Sequence, residues 1–212
     1  MIRVLVVDDH ELVRIGLRRI LADYPSIQIV AEAKDGETAL KLCREFNPDV
    51  VLLDIHLPGL SGFEVTSRLK QSSSNPAVII LTIQETAPFP GRLLEAGASA
   101  YLTKGCPATE LVDAIRTVSR GGRHIGASVA QQMALAMLPN AQATPFDGLS
   151  SREMEVMLLL VEGRKMSDIA DLMHLSPKTV ATYKYRVFEK LDARNDVDMA
   201  RMALRYGVVP FT

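Results

Sequence analysis

The sequence predicts two folded units. An α/β, doubly wound, five-stranded parallel sheet occupies residues 1–119, and an all-α unit of four helices occupies 149–212. A helix and a flexible linker, residues 120–148, join them. Three observations carry this. Short apolar runs alternate with longer helix-spaced segments through the first 119 residues, which is the signature of parallel strands covered by helices. Strand-like runs cease after residue 149, where only helical spacing continues. Between the two, residues 139–148 contain two prolines with Asn, Thr and Gly, a linker composition. A chain of 212 residues suits two modest domains.

The strand-like runs are 3–7, 27–31, 50–53, 78–81 and 100–102, several of them rich in Val and Ile and too short for buried helices. Residues 12–22 follow the first, with Val13, Leu17, Ile20 and Leu21 at helical intervals. Residues 37–46, 63–70 and 111–119 repeat the pattern. The stretch 87–97 departs from it. Pro88 and Pro90 sit where a fourth helix begins, so that helix is expected to be short or displaced. Gly121 and Gly122 end the α/β unit and 127–138 forms a further helix. In the second unit Ser151 is placed as cap of a helix over 152–161 that Gly163 ends. Residues 166–173 form the second helix and 174–176 a tight turn. The third runs over 177–191, with Ser176 as N-cap and Pro177 in its first position. The fourth runs over 196–206 and stops at Gly207.

Composition narrows the function. No apolar run reaches the roughly 20 residues that span a bilayer, and the N-terminus lacks a signal-peptide layout, so a cytoplasmic protein without membrane contact is expected. Cys43 and Cys106 are far apart, without CxxC or metal-ligand context, so free thiols are expected and structural zinc is not. The net charge of −1 hides local differences. Residues 1–119 hold 12 basic against 15 acidic side chains. Within 176–190, Lys178, Lys184, Arg186 and Lys190 face only Glu189, and phosphate contacts depend on such local surface.

Asp8 and Asp9 lie just past the first strand and Asp54 just past the third. In an open parallel sheet chemistry collects at the carboxyl ends of strands, and the first and third strands are central neighbours in a flavodoxin-like order. Three converging carboxylates repel one another. A hard divalent cation, Mg²⁺ above all, removes that repulsion and holds a phosphoryl group. Thr82 ends the fourth strand and Lys104 follows the fifth, supplying a donor and a cation for an aspartyl phosphate. Each residue alone has an ordinary structural explanation, as a turn, strand or surface residue. The five together do not.

VLVVDDH at 4–10, LLDIHLPGLSG at 52–62, Thr82 and YLTKG at 101–105 resemble the receiver domain of bacterial response regulators. That resemblance implies that Asp54 accepts phosphate from a phosphohistidine of a sensor histidine kinase. It implies Mg²⁺ on Asp9, Asp54 and the backbone carbonyl of His56, with Asp8 helping through water. It implies that Thr82 and Lys104 grip the phosphoryl oxygens and that Tyr101 changes rotamer as Thr82 moves; a half-buried edge aromatic is the alternative for Tyr101. His56 and Gln84, by the same resemblance, influence how fast the phosphate is lost.

The helices at 166–173 and 177–191, three residues apart, fit a helix-turn-helix. On a wheel, Val180, Val187 and Leu191 share the core face of the second, with Lys184 and Phe188 beside it. Lys178, Thr182, Tyr185, Arg186 and Glu189 lie opposite, and Tyr183 nearer the core. Lys178 and Arg186, with Lys190, suit phosphates, Thr182 and Tyr185 suit base edges, and Thr179 suits a phosphate at the helix N-terminus. A solvated polar face is the alternative. LSSREMEV at 149–156 with SDIADLMHLSPKTV at 167–180 resembles the LuxR-type helix-turn-helix of NarL/FixJ regulators. Ala181 and Tyr183 stand where that class has a basic residue and His, so its base contact at 181 does not carry over. In the last helix Val197, Ala200 and Leu204 are expected to face the core. Met199, Met202 and Tyr206 then form an exposed stripe, a candidate dimer interface. AQQMAL at 130–135 and SPKTVATYKYR at 176–186 further resemble the GacA/UvrY subgroup, which implies a hybrid sensor kinase with a phosphotransfer domain as phosphodonor.

The expected function is therefore a phosphorylation-switched transcription regulator that binds promoter DNA as a dimer and activates transcription, and that takes up and slowly loses a phosphoryl group without being a stand-alone enzyme. A degenerate receiver serving as an interaction platform with constitutive DNA binding is the alternative, which the intact set of five pocket residues disfavours. A haloacid-dehalogenase-type phosphatase needs a second Asp where this chain has His56.

Overall fold

A computed structural model describes residues 1–83, 89–136, 144–173, 175–206 and 208. The chain divides into two compact units, Met1–Leu138 and Pro139–Thr212.

The first unit is built on β1 (Ile2–Val7), β2 (Ile27–Ala33), β3 (Val50–Leu53), β4 (Ala77–Thr82), β5 (Ala100–Thr103) and β6 (His124–Ile125). All pair in parallel, in the order β2-β1-β3-β4-β5-β6. Six strands replace the five expected. The sixth has only two residues, too few for any periodicity, and it pairs Ile125 beside Tyr101. The central strands are apolar throughout because both their faces are covered. Val4, Val6, Val50, Leu52, Ile79, Leu81 and Leu102 share one cluster with Leu17 and Leu21 of α1 (Glu11–Ala22) and Leu111, Val112 and Ile115 of α5 (Ala108–Val118). The intervening strand residues point to the opposite face, where α2 (Gly36–Phe46), α3 (Gly62–Gln71) and α4 (Phe89–Glu95) lie. Phe63 of α3 and Phe89 of α4 meet there with ring centroids 6.2 Å apart.

Local chemistry sets the helix ends. Asp35 caps α2 by accepting the Thr38 N–H at 2.7 Å, and Asn47 closes it in the left-handed region at φ 44°. α4 is the short helix that the prolines predict, with Pro90 in its first turn; Pro88 lies outside the described residues. α5 begins three residues before its expected start, at Ala108, directly after Pro107. α6 (Ala127–Ala136) packs against β5 and α4, and so belongs to the first unit.

The second unit holds the four predicted helices: α7 (Ser151–Val161), α8 (Met166–Met173), α9 (Pro177–Leu191) and α10 (Asp196–Arg205). Two details differ. The cap of α7 is Ser150, not Ser151. Its hydroxyl accepts the Glu153 N–H while the Glu153 carboxylate accepts the Ser150 N–H at 2.7 Å, a reciprocal capping box. The end of the predicted linker is ordered. Thr144 and Asp147 hydrogen-bond at 2.7 and 2.9 Å to make a 3₁₀ turn over Pro145–Gly148, and Phe146 is fully buried there.

α10, which packs on α7, is turned the opposite way from the expectation. Phe146 meets the Tyr206 ring edge-on at 5.9 Å. Met199 and Ala203 are fully buried, whereas Val197 is 61% exposed. Met199 and Ala203 therefore face the core, Ala200, Met202 and Leu204 are half-buried, and Val197 and Tyr206 are the exposed apolar residues of this region. Met199 cannot serve as an interface residue, and Met202 is half-buried beside it. Truncating Met199 to Ala leaves a cavity worth about 2–5 kcal/mol. Val197→Ala, at an exposed site, changes stability by less than about 0.5 kcal/mol. Amide hydrogen exchange of α7–α10 separates the two: Met199→Ala should accelerate it and Val197→Ala should not.

Candidate functional site

The carboxyl ends of four adjacent strands converge on one cluster. β1 ends at Val7, so Asp8 and Asp9 leave the sheet there. The Asp8 N–H still reaches the Ala33 carbonyl of β2 at 3.1 Å, and Asp8 is buried. β3 ends at Leu53. The Asp54 N–H makes the last rung to Val7 at 2.9 Å, and Asp54 too is buried. The Lys104 N–H donates to the Thr82 carbonyl at 2.8 Å, one rung past β5, which sets these two residues side by side. Thr82 and Tyr101 are both fully buried. For Tyr101 that excludes the half-buried edge alternative, because β6 makes β5 an interior strand.

The Lys104 ammonium lies 2.7 Å from Asp8 Oδ2 and 2.7 Å from Asp54 Oδ2. The other Asp54 oxygen, Oδ1, accepts the Ile55 N–H at 2.7 Å and the His56 N–H at 3.4 Å. Burial by itself lowers the Lys104 pKa. Hydrogen bonds to Asp54 and Asp8, and their charges, outweigh it and raise the value above the ordinary lysine range. Lys104 is therefore charged at neutral pH. Burial lowers the His56 pKa, against the charge of Asp54, so its imidazole is neutral. Its Nε2 is buried without a hydrogen-bond partner among the described residues. Gln84, placed beside the pocket from sequence, lies outside them.

Ligating atoms of Asp8, Asp9, His10 and Asp54 all fall within 4.8 Å of one another. The carboxylate oxygens fit a hard divalent cation such as Mg²⁺, and one ammonium against three carboxylates leaves negative charge for it to balance. His10, absent from the predicted set, is exposed at the rim with Nδ1 2.8 Å from Asp9 Oδ1. The His56 carbonyl, the remaining predicted ligand, belongs to the loop after Asp54.

The LPGLSG segment is what fixes that loop. Gly59 adopts φ +82°, which favours glycine, beside the Glu37 carboxylate. A Cβ on Gly62 would stand 2.6 Å from the Ile55 Cα and 3.0 Å from the Asp54 carbonyl oxygen. The start of α3 therefore presses directly on the segment that carries Asp54, and only glycine permits it.

In the second unit α8 and α9 pack through Ile169, Ala170, Met173 and Val180 around a core with Val156 and Leu159 of α7. Val180, Val187 and Leu191 are the buried stripe of α9, as the wheel predicts, and Tyr183 packs on the core edge. Lys178, Thr182, Tyr185, Arg186 and Glu189 are exposed, Tyr185 by 73%. Lys178 and Arg186 have no carboxylate partner among the described residues. Thr179 is half-buried and engaged with Ser176, through its N–H at 3.1 Å and its hydroxyl at 2.8 Å. Lys184 is turned to Asp196 at 2.7 Å, which ties α9 to the start of α10.

Lys190, predicted to contact DNA, is paired within the unit. Its ammonium lies 2.7 Å from Glu153 Oε2, within the capping box of α7. Burial opposes the Glu153 charge, but Lys190 and the Ser150 N–H and hydroxyl prevail and hold its pKa below the ordinary 4.5. A lowered carboxylate pKa contributes stability that is present above 4.5 and lost as pH falls through the folded-state value. Acid unfolding of the second unit should therefore begin at higher pH in Lys190→Gln than in the parent chain, as followed by circular dichroism. An unchanged midpoint removes Lys190 from that role.

Comparisons with known proteins agree with this geometry. Residues 4–116 match the response regulator receiver domain, and 147–203 match the bacterial regulatory proteins of the luxR family. The chain is 49% identical over 210 residues to the response regulator GacA of Pseudomonas aeruginosa, covering 99% of this chain and 98% of that one. It is 46% identical over 209 residues to the response regulator UvrY of Escherichia coli K12, covering 98% and 96%. Its fold is similar to that of RcsB from Salmonella enterica serovar Typhimurium, solved on promoter P1flhDC in the presence of the phosphomimetic BeF3⁻. The TM-score is 0.76 at 22% identity, over 95% of this chain and 97% of that one. Matched over both units and nearly its full length, the chain belongs to the two-component response regulators with a receiver domain and a LuxR-type DNA-binding domain, which control transcription.

Proposed function

We propose that Asp54 is the phosphoacceptor and that its phosphorylation by a sensor histidine kinase switches this chain to bind promoter DNA as a dimer and activate transcription. The observation that carries this reading is the Lys104 ammonium set 2.7 Å from both Asp8 and Asp54 in a buried cluster at the strand ends. The phosphohistidine P–N bond breaks as an Asp54 Oδ–P bond forms, and the donor imidazole leaves. Such a transfer needs positioning and charge neutralisation rather than a general base. Lys104 and Thr82 are placed to hold the phosphoryl oxygens. Asp8, Asp9, Asp54 and the His56 carbonyl would hold Mg²⁺, which supplies the charge that brings an anionic donor to an acidic pocket. His56, beside the acceptor, is placed to influence loss of the phosphoryl group, and Tyr101 to respond as Thr82 moves.

In the assignment we favour, residues 1–119 are the receiver and 149–212 the DNA-binding domain. Lys178 and Arg186 meet phosphates, Thr182 and Tyr185 meet base edges, and Thr179 stands at the N-terminus of α9. The second copy docks on the exposed Val197 of α10 and on Tyr206 at its end, without the buried Met199. The likeness to GacA and UvrY supports a hybrid kinase with a phosphotransfer domain as donor. A cytoplasmic location is consistent with the absence, among the described residues, of any helix long and apolar enough to cross a membrane.

Capture of genomic DNA fragments on the full chain, at one fixed salt concentration, tests the switch. With a small-molecule phosphodonor and Mg²⁺, fragments sharing an inverted repeat should be enriched, and Asp54→Asn should abolish both phosphate uptake and that enrichment. Equal capture with and without phosphodonor refutes the phosphate gate and favours constitutive binding. Arg186→Ala should weaken binding to all sequences alike and reduce the salt slope by about one. A change confined to particular sequences would instead place Arg186 at a base.

A further inference from the structure

Three residues outside the predicted pocket connect to it. Arg14 of α1 donates from Nη1 to the Asp8 carbonyl at 2.8 Å. Its Nε faces Glu32 Oε2 of β2 at 3.4 Å. Glu32 is held in turn by Arg18, whose Nε and Nη2 both lie 2.8 Å from Oε1. The Arg14 and Glu32 side chains are only 18% and 25% exposed, whereas Arg18 is 59% exposed and closes the chain at the surface.

The position of this carbonyl gives the contact its meaning. β1 has ended, so the buried Asp8 C=O has left the sheet ladder. A buried carbonyl without a partner is costly. The Asp8 N–H is fixed by Ala33 at 3.1 Å and its C=O by Arg14. The Asp8 carbonyl and the Asp9 N–H share one rigid peptide plane. Holding that plane sets the direction in which the Asp9 carboxylate leaves the backbone, and limits rotation of Asp8 before it.

The geometry points to Arg14 and Glu32, anchored by Arg18, as positioning residues that hold the Asp8–Asp9 peptide in the orientation required for divalent cation binding at the acidic site. The inference rests on reading that site as a metal site. Charge alone makes the opposite prediction for Arg14. Its guanidinium is a cation beside a cation site, so removing it would strengthen metal binding if it acted only through its field. If it acts through the hydrogen bond to Asp8, removal weakens binding. Arg14→Lys retains the charge but loses the planar fork that reaches the carbonyl and Glu32 together.

The test is direct binding of Mn²⁺ to the full chain, followed by loss of the free-ion electron paramagnetic resonance signal. Arg14→Gln and Arg14→Lys should each weaken Mn²⁺ binding about tenfold, equivalent to about 1.4 kcal/mol. The near-isosteric Glu32→Gln should weaken it less, and combined with Arg14→Gln should add little, because the two act as a unit. The Mg²⁺ concentration giving half-maximal phosphorylation by a small-molecule donor should rise in parallel, with the rate at saturating Mg²⁺ retained. Unchanged or tighter Mn²⁺ binding in folded Arg14 variants overturns the inference. If neither folds, unchanged binding in Glu32→Gln does so. A parent chain that binds no Mn²⁺ overturns the metal-site reading itself, a result distinct from the other two.

Discussion

The structure of the first unit turns on one ammonium group. Asp8 and Asp54 are both buried, on adjacent strands, and the Lys104 Nζ stands 2.7 Å from each. A carboxylate taken out of water costs several kcal/mol unless it is paired and hydrogen-bonded. Here both are held by Lys104 and by backbone amides: Asp54 by those of Ile55 and His56, Asp8 by that of His10 at 2.9 Å. The sheet can end its central strands in acid only because β5 ends in base beside them. The arrangement is sufficient for folding yet short of neutral, since Asp9 remains outside the bridge. That residual negative charge makes a cation a stabilising partner, and in the proposed function the same Lys104 that satisfies the carboxylates meets the phosphoryl oxygen on Asp54.

Topology is what brings the four strand ends together. Placing β1 and β3 side by side, with β4 and β5 next, brings the strand ends to one edge of the sheet, Val7 in register with Leu53 and, two residues further on, Thr82 with Thr103. The helices then fix the loops that leave this edge. α3 presses Gly62 on Ile55, and α1 sends Arg14 back to the Asp8 carbonyl. Site and packing are thus continuous, and no residue of the pocket is set by its own loop alone. β6 extends the same logic to Tyr101, whose full burial follows from a two-residue strand that removes the edge from β5.

How much of this was legible from sequence depends on whether the signal is local. Asp8, Asp9, Asp54, Thr82 and Lys104 were legible because each follows an apolar run, and a strand's end is visible in its own residues. The Ser176 cap of α9 is local in the same way, whereas the α7 cap was placed one residue late because Ser150 and Ser151 are adjacent and composition does not separate them. Arg14 and Glu32 were not legible: they meet across elements 18 positions apart, and neither residue carries a local sign of its partner. Lys190 shows the limit of a helical wheel, which gives an angle but not the carboxylate waiting on α7. The stripes of α10 show another. Val197, Ala200 and Leu204 on one side, and Met199, Met202 and Tyr206 on the other, are both apolar, so periodicity permits either burial. Which one is buried depends on packing against α7, a partner the helix's own residues do not reveal.

The second unit uses a similar economy around Glu153. One carboxylate accepts the Ser150 N–H to start α7 and the Lys190 ammonium to hold the end of α9, while Lys184 fastens the middle of α9 to Asp196 at the start of α10. The basic residues of α9 are thereby divided by function. Lys184 and Lys190 are paired within the unit, and Lys178 and Arg186 have no carboxylate partner among the described residues. In the proposed assignment base recognition falls to Thr182 and Tyr185, since Ala181 offers only a methyl group. Of these Tyr185 is the more exposed, and its aromatic face suits the thymine methyl group that a major groove presents.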